Sequence, residues 1–187
     1  MKKNVLEYLE ADAINCPSKV AVIDETKKYT YSELYSLSRK IGTAIATKSS
    51  LRMPIAVLME KGADTLCAFM GIINAGCFYV LLNPEFPSSR HEQILSVLNA
   101  KIIVTDEDHK EQAINLIGEN NTYLVSDLMK QNEDASLLSK IQNKVIDTDP
   151  LYANFTSGST GVPKGVLVSH RTVIDFIDNF FIIMIIL

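Results

Sequence analysis

Ile55-Ala56-Val57-Leu58-Met59 is a run of five apolar residues with no polar residue interleaved. A strand with one wet face alternates apolar with polar side chains, whereas a strand covered on both faces reads as a continuous apolar run. The stretch therefore predicts a strand of a parallel sheet buried between helices. Val20-Ala21-Val22-Ile23 and Ile102-Ile103-Val104 have the same continuous character and are expected to be strands of the same kind. Helical periods fill the intervals. Thr30 and Glu33 have the spacing of a capping box, in which hydroxyl and carboxylate each satisfy an orphan amide of the first turn. Leu34, Leu37, Ile41, Ala44 and Ile45 follow at helical spacing and leave Arg39 and Lys40 outside.

Residues 64–75 are apolar almost all round, which predicts a deeply buried helix, and Gly76 stands where a left-handed cap belongs. A further helix is expected from Pro87 and Ser88, with His91, Ile94, Leu95 and Leu98 on one side. A strand at 101–105, a helix at 111–117 and a strand at 123–125 continue the pattern. Residues 129–149 are polar and weakly patterned, and read as a helix plus a surface loop. The β-α-β alternation predicts an α/β fold, largely parallel sheet flanked by helices, with right-handed crossovers.

The totals bound the function. A chain of 187 residues holds one domain, or a domain and a piece of another. With 47% apolar and 21% charged residues it has the balance of a globular protein, not a disordered one. A net charge of −4 argues against a nucleic-acid partner, since phosphate-backbone binders carry a basic face. Cys16, Cys67 and Cys77 lack metal-ligand spacing; the latter two sit among apolar residues, so buried thiols and a reducing cytoplasm are expected. Glu7, Glu10 and Asp12 interrupt the N-terminus, which does not read as a signal peptide. Phe180 to Leu187 is wholly apolar but far short of the ~20 residues a spanning helix needs, so no membrane is expected.

One segment carries chemistry: Tyr152-Ala153-Asn154-Phe155-Thr156-Ser157-Gly158-Ser159-Thr160-Gly161-Val162-Pro163-Lys164-Gly165-Val166-Leu167-Val168-Ser169-His170. An apolar run enters a loop of hydroxyls and glycines, a lysine follows, and a second apolar run leaves. Glycines let backbone amides converge on one point and admit a bulky anion. Thr156, Ser157, Ser159 and Thr160 offer hydroxyl donors, and Lys164 offers positive charge. Together these are the parts of a polyphosphate cradle. Composition alone leaves a flexible linker or a plain hairpin loop open, although Pro163-Lys164 beside a rigid strand argues against a linker. The P-loop pattern G-x-x-x-x-G-K-S/T is excluded, because Gly158 is followed at the required places by Pro163, Lys164 and Gly165. His170 reads as a helix-start or packing histidine.

Thr156-Ser157-Gly158-Ser159-Thr160-Gly161-Val162-Pro163-Lys164-Gly165 resembles the signature loop of the adenylate-forming (AMP-binding) enzyme superfamily, which includes acyl-CoA synthetases, luciferases and peptide-synthetase adenylation domains. Residues 29–34, Tyr-Thr-Tyr-Ser-Glu-Leu, resemble its early TYxEL motif. Residues 74–90 resemble its AGxxYVPLDPxYPxxR motif, most typical of the amino-acid-activating branch of the non-ribosomal peptide synthetases, with Asn83 in place of the family's Asp. The first of these motifs is explained as a helix cap and the second reads as scaffold.

The resemblance implies a ligase in which a substrate carboxylate attacks the α-phosphorus of ATP, releasing pyrophosphate, before the acyl group passes to a thiol. That thiol belongs to coenzyme A or to a carrier protein's phosphopantetheine. By the same resemblance Thr156, Ser157, Gly158, Ser159, Thr160 and Gly161 would hold the β- and γ-phosphates, Lys164 would neutralise the departing group, and Mg²⁺ would assist. The family's substrate pocket, adenine and ribose contacts, metal-binding acid and C-terminal lysine have no counterpart in these 187 residues. Residues 1–187 are therefore expected to be a partial N-terminal domain, inactive alone, with an unpaired sheet edge and a tendency to self-associate. Half of a split ligase and a non-catalytic nucleotide-binding module are the alternatives. The apolar tail leaves two origins open, a shifted reading frame near Asn179 or a buried helix cut short. The substrate is an amino acid or another carboxylate.

Overall fold

The computed structural model describes residues 2–156 and 163–186, the last seven of these by their backbone alone. The elements run α1 (Leu6–Asn15), β1 (Val20–Ile23), β2 (Lys28–Thr30), α2 (Tyr31–Ala46), β3 (Pro54–Leu58), α3 (Ala63–Asn74), β4 (Phe78–Leu82) and α4 (Ser88–Leu98). They continue with β5 (Ile103–Thr105), α5 (Lys110–Ile117), β6 (Thr122–Leu124), α6 (Val125–Leu128), α7 (Ala135–Gln142), β7 (Pro150–Thr156), β8 (Lys164–Ser169) and α8 (His170–Ile186). Six strands form one sheet in the order β6-β5-β3-β4-β7-β8, every pair parallel except β7 with β8.

The apolar run at 55–59 lies at the sheet's centre, and its alternate residues enter two different cores. Ile55 and Val57 pack with Ile41, Ile45, Cys67 and Ile72, on the side of α2 and α3. Ala56 and Leu58 pack with Val80, Leu82, Ile94, Leu95 and Ala113, on the side of α4 and α5. All four β3 residues are fully buried. That two-sided burial is why the sequence shows no polar alternation there.

The helix expectations follow local chemistry. At the start of α2, Glu33 N–H donates to Thr30 Oγ1 at 3.3 Å, and Thr30 N–H donates to Glu33 Oε2 at 2.8 Å. Gly76 ends the buried α3 with φ +69°, the left-handed region that favours glycine. α2 and α3 cross closely: a Cβ on Gly42 would lie 2.5 Å from the Asn74 Cβ, and one on Gly71 would collide with Ile41. Small residues at the crossing let the two backbones approach, and Asn74 Nδ2 donates to Ser38 Oγ at 3.1 Å across it. Cys67 and Cys77 are buried, as expected, and Cys16 is half-buried.

One expectation fails. Val20–Ile23 is not a buried parallel strand but pairs antiparallel with Lys28–Thr30 in a separate two-stranded ribbon, with Ile23 70% exposed. Four residues are too few for an apolar run to distinguish a covered strand from a rim hairpin. The turn decides: the Asp24 carboxylate accepts from Thr26 N–H, Lys27 N–H and, across the structure, Ala63 N–H at 2.8 Å. The ribbon is thereby fastened to the N-terminus of α3.

At the other edge β8 is the last strand, and Val166 and Leu167 are 55% and 58% exposed. In α8, Ile174 is buried while Asp175 and Asp178 are exposed, as the amphipathic pattern predicts. Among the described residues, no helix is long and apolar enough to cross a membrane.

Candidate functional site

The segment singled out in the sequence is the β7–β8 hairpin. Leu151 and Ala153 are buried, Ala153 in the α4–α5 core, which draws β7 into the sheet. There β7 pairs parallel with β4, Tyr79 opposite Tyr152 and Val80 opposite Ala153, so the two strands end on the same side. β3 ends there as well, Leu58 lying opposite Leu82. β7 finishes at Thr156 and β8 begins at Lys164, and these two residues are register partners. Directly opposed residues of a hairpin share a face, so the Thr156 hydroxyl and the Lys164 ammonium stand together at its mouth. Both are exposed. Ser157, Gly158, Ser159, Thr160 and Gly161 lie outside the described residues.

Gly165 has a packing role that composition does not reveal. It faces Phe155 in the register, and a Cβ there would lie 2.9 Å from the Phe155 ring. Phe155 packs against the α4–α5 core, so the glycine lets the hairpin lie flat on it.

Beside the hairpin, the ends of β3, β4 and β7 enclose a crevice of about 430 Å³. Its position follows from the topology. The connection leaving β4 crosses β3 to reach β5, while β7 turns the other way to β8. Strand ends whose connections diverge leave a crevice between them, the usual ligand position in an open α/β sheet. Glu60 and Lys61 line it after β3; Asn83, Glu85 and Arg90 line it after β4; Asn154 and Phe155 line it from β7.

The motif at 74–90 does serve as scaffold, and it also builds one crevice wall. The turn after β4 is tied four ways. Phe86 N–H donates to the Asn83 carbonyl at 3.0 Å, and Glu85 N–H donates to Asn83 Oδ1 at 3.0 Å. His91 Nε2 lies 2.9 Å from the Asn83 carbonyl, and Gln112 Nε2 donates to the Pro84 carbonyl at 3.3 Å. A carbonyl only accepts, so His91 carries its proton on Nε2. The Asn83 side-chain oxygen accepts the Glu85 N–H bond as an aspartate oxygen could. Asn154 and the crevice role of Arg90 were not legible as site features: both depend on which strand ends meet.

His170 lies at the opposite end of the hairpin, just beyond Ser169, the register partner of Pro150. It is 2% exposed, accepts from Val5 N–H at 3.4 Å through Nδ1, and donates its own backbone N–H to the Asp149 carbonyl at 3.1 Å. Burial pushes its pKa down from 6.5 to about 4, against the opposing pull of Asp149 and Asp147. It starts a helix and packs, as expected, and is remote from Thr156 and Lys164. A second hollow of about 400 Å³ lies at the β6 edge, beside Lys48 and Tyr123, away from the hairpin. Among the described residues, no group of three or more histidines, cysteines and carboxylates could hold a metal ion.

The model of the AMP-binding enzyme family matches residues 9–185. The nonribosomal peptide synthetase kk1B of Curvularia clavata is 31% identical over 180 residues, covering 94% of this chain and 1% of that protein. A fatty acid AMP ligase from Legionella pneumophila superimposes with a TM-score of 0.80 at 21% identity, over 97% of this chain and 33% of the other. The nonribosomal peptide synthetase FmoA3, in its α-methyl-L-serine-AMP-bound form, superimposes with a TM-score of 0.78 at 24% identity, over 92% of this chain and 19% of the other. The chain spans 1% to 16% of the length of the curated relatives it matches.

Proposed function

The chain belongs to the AMP-binding enzyme family, and from that premise we propose that it is the N-terminal portion of an adenylate-forming ligase that activates an amino acid or another carboxylate. The observation that carries this is the pairing of Thr156 with Lys164 at the hairpin mouth, beside the crevice where β3, β4 and β7 end. A carboxylate oxygen forms a bond to the α-phosphorus of ATP, the bond from that phosphorus to the bridging oxygen breaks, and pyrophosphate leaves with both bonding electrons. No general base is required, because the nucleophile is already an anion. What the protein must do is gather negative charge.

In this reading the Thr156 hydroxyl donates to a phosphate oxygen, and the Lys164 ammonium offsets charge building on the pyrophosphate. Ser157, Gly158, Ser159, Thr160 and Gly161 add hydroxyls and close-approach backbone by their composition. Mg²⁺, when bound, would share the phosphate charge. The peptide-synthetase relatives favour an amino acid as substrate and a carrier protein's phosphopantetheine thiol as acceptor. The 187 residues alone are read as inactive, since they supply the phosphate side of the site only.

The test is amino-acid-dependent ATP–pyrophosphate exchange, with the chain fused to, or mixed with, the remaining portion of a peptide-synthetase adenylation domain. The fused protein should exchange and the chain alone should not. Lys164→Ala should lower exchange in the fusion by roughly 10²-fold, in the range seen when one transition-state donor is removed. An unchanged rate in that variant would refute the role of Lys164. The exposed apolar edge of β8 favours a second reading, a split ligase completed by a separate chain. Exchange on mixing, without fusion, would support it.

A further inference from the structure

We infer that Arg90 is a second anion-recognition residue of this chain, holding a phosphate oxyanion in the crevice beside the Thr156–Lys164 mouth. The choice of phosphate rests on the function proposed above; the site itself rests on geometry. Arg90 stands in the first turn of α4 and lines the crevice. Its guanidinium carbon lies 5.1 Å from the Phe86 ring centroid, stacked on the turn that four hydrogen bonds hold. Its Nε is buried, and among the described residues it has neither a hydrogen-bond partner nor an ion-pair partner.

Such an arrangement is costly unless something completes it. A buried N–H of a charged group left unpaired costs more than a neutral one, and guanidinium groups are ordinarily paired wherever they are desolvated. Arg39, the other described arginine that is largely covered, follows that rule and pairs with Glu133, and the more exposed Arg52 and Arg171 are paired too, with Asp149 and Asp147. Glu60 and Glu85 line the same crevice, yet neither forms an ion pair with Arg90. Meanwhile the turn is fixed, and His91, fully buried behind it, holds the Asn83 carbonyl. A preorganised, uncompensated cation in a crevice of about 430 Å³ fits an anion with several oxygens. Guanidinium takes phosphate through parallel N–H donors, which a lysine in the same place cannot reproduce. Asn83 and Asn154 supply further polar groups on the crevice walls.

The experiment titrates the nitrogen-labelled 187-residue chain with inorganic pyrophosphate, and separately with orthophosphate and with acetate at matched ionic strength. The readout is the Arg90 Nε–H resonance, assigned by its loss in Arg90→Lys. It should shift saturably with pyrophosphate, less with orthophosphate and not with acetate. Arg90→Gln should weaken pyrophosphate binding about tenfold, the scale of one charge-assisted pair, and Arg90→Lys should weaken it less. A silent Arg90 resonance, or wild-type affinity in Arg90→Gln, overturns the inference. If Arg90→Gln does not fold, the resonance in the unsubstituted chain still decides. Pyrophosphate binding that Lys164→Ala removes while Arg90 stays silent would sink this inference and leave the proposed function standing. An Arg90 shift without exchange in the fused protein would do the reverse.

Discussion

The centre of the sheet and its β8 edge both carry consecutive apolar residues, Ile55 to Leu58 and Val166 to Val168, yet they meet opposite surroundings. Ile55 through Leu58 are fully buried, while Val166 and Leu167, two strands beyond β4, are more than half exposed. Stability therefore resides in β3 and the helices around it, whereas the hairpin that carries Thr156 and Lys164 adds little burial at its mouth. Its base is fixed where His170 meets Val5 and Asp149, and β7 is held by β4 at Tyr152 and Ala153.

The contrast can be broken by substitution. Leu58→Ala removes a side chain packed between Val80, Leu82 and Ile103, and should cost about 2–5 kcal/mol in urea unfolding. A loss under 1 kcal/mol would mean that β3 is not the platform. Acid should act on the hairpin base. The His170 pKa is depressed from 6.5 to about 4, so the unfolded chain binds the proton more readily. Stability from this group is full above pH ~6.5 and is lost as pH falls toward ~4, by up to ~1.4 kcal/mol per pKa unit. Thermal midpoints measured from pH 7 to 4.5 should fall, and fall less in His170→Gln. The carboxylates whose pKa values are lowered, Asp24 and Glu33, lose their contribution only below about their ordinary 3.8 and 4.5.

Gly71→Ala would press a methyl into Ile41 at the α2–α3 crossing and should cost ~1–3 kcal/mol, the range for overpacking. Calorimetry that found it neutral would show the crossing to be slack. The smallest effect belongs to the edge. Val166→Ser with Leu167→Ser should change stability by no more than ~0.5 kcal/mol, as surface substitutions do, while reducing self-association in sedimentation. If the pair destabilised as much as Leu58→Ala, the two regions would not differ as described.

Much of this was legible beforehand because it is local. A capping box is an i, i+3 relation, a left-handed cap needs one glycine, and two-sided burial shows as five consecutive apolar residues. The hairpin stood out as a candidate phosphate loop because its hydroxyls, glycines and lysine are contiguous. The run Val20–Ile23 was misread because four apolar residues do not specify their neighbour; the Asp24 carboxylate, bonded to Ala63 far along the chain, set its place.

The sequence by itself determined the α/β class, the start of α2 and the end of α3, the buried central strand and the residue types of the candidate cradle, since each rests on chemistry within a few neighbouring positions. The tertiary structure alone decided that β7 lies against β4, that Gly165 yields to Phe155, and that Arg90 lines the crevice with its Nε unpaired. These are relations between strand ends far apart in the chain, fixed by which apolar faces can be buried together, and no local pattern encodes them.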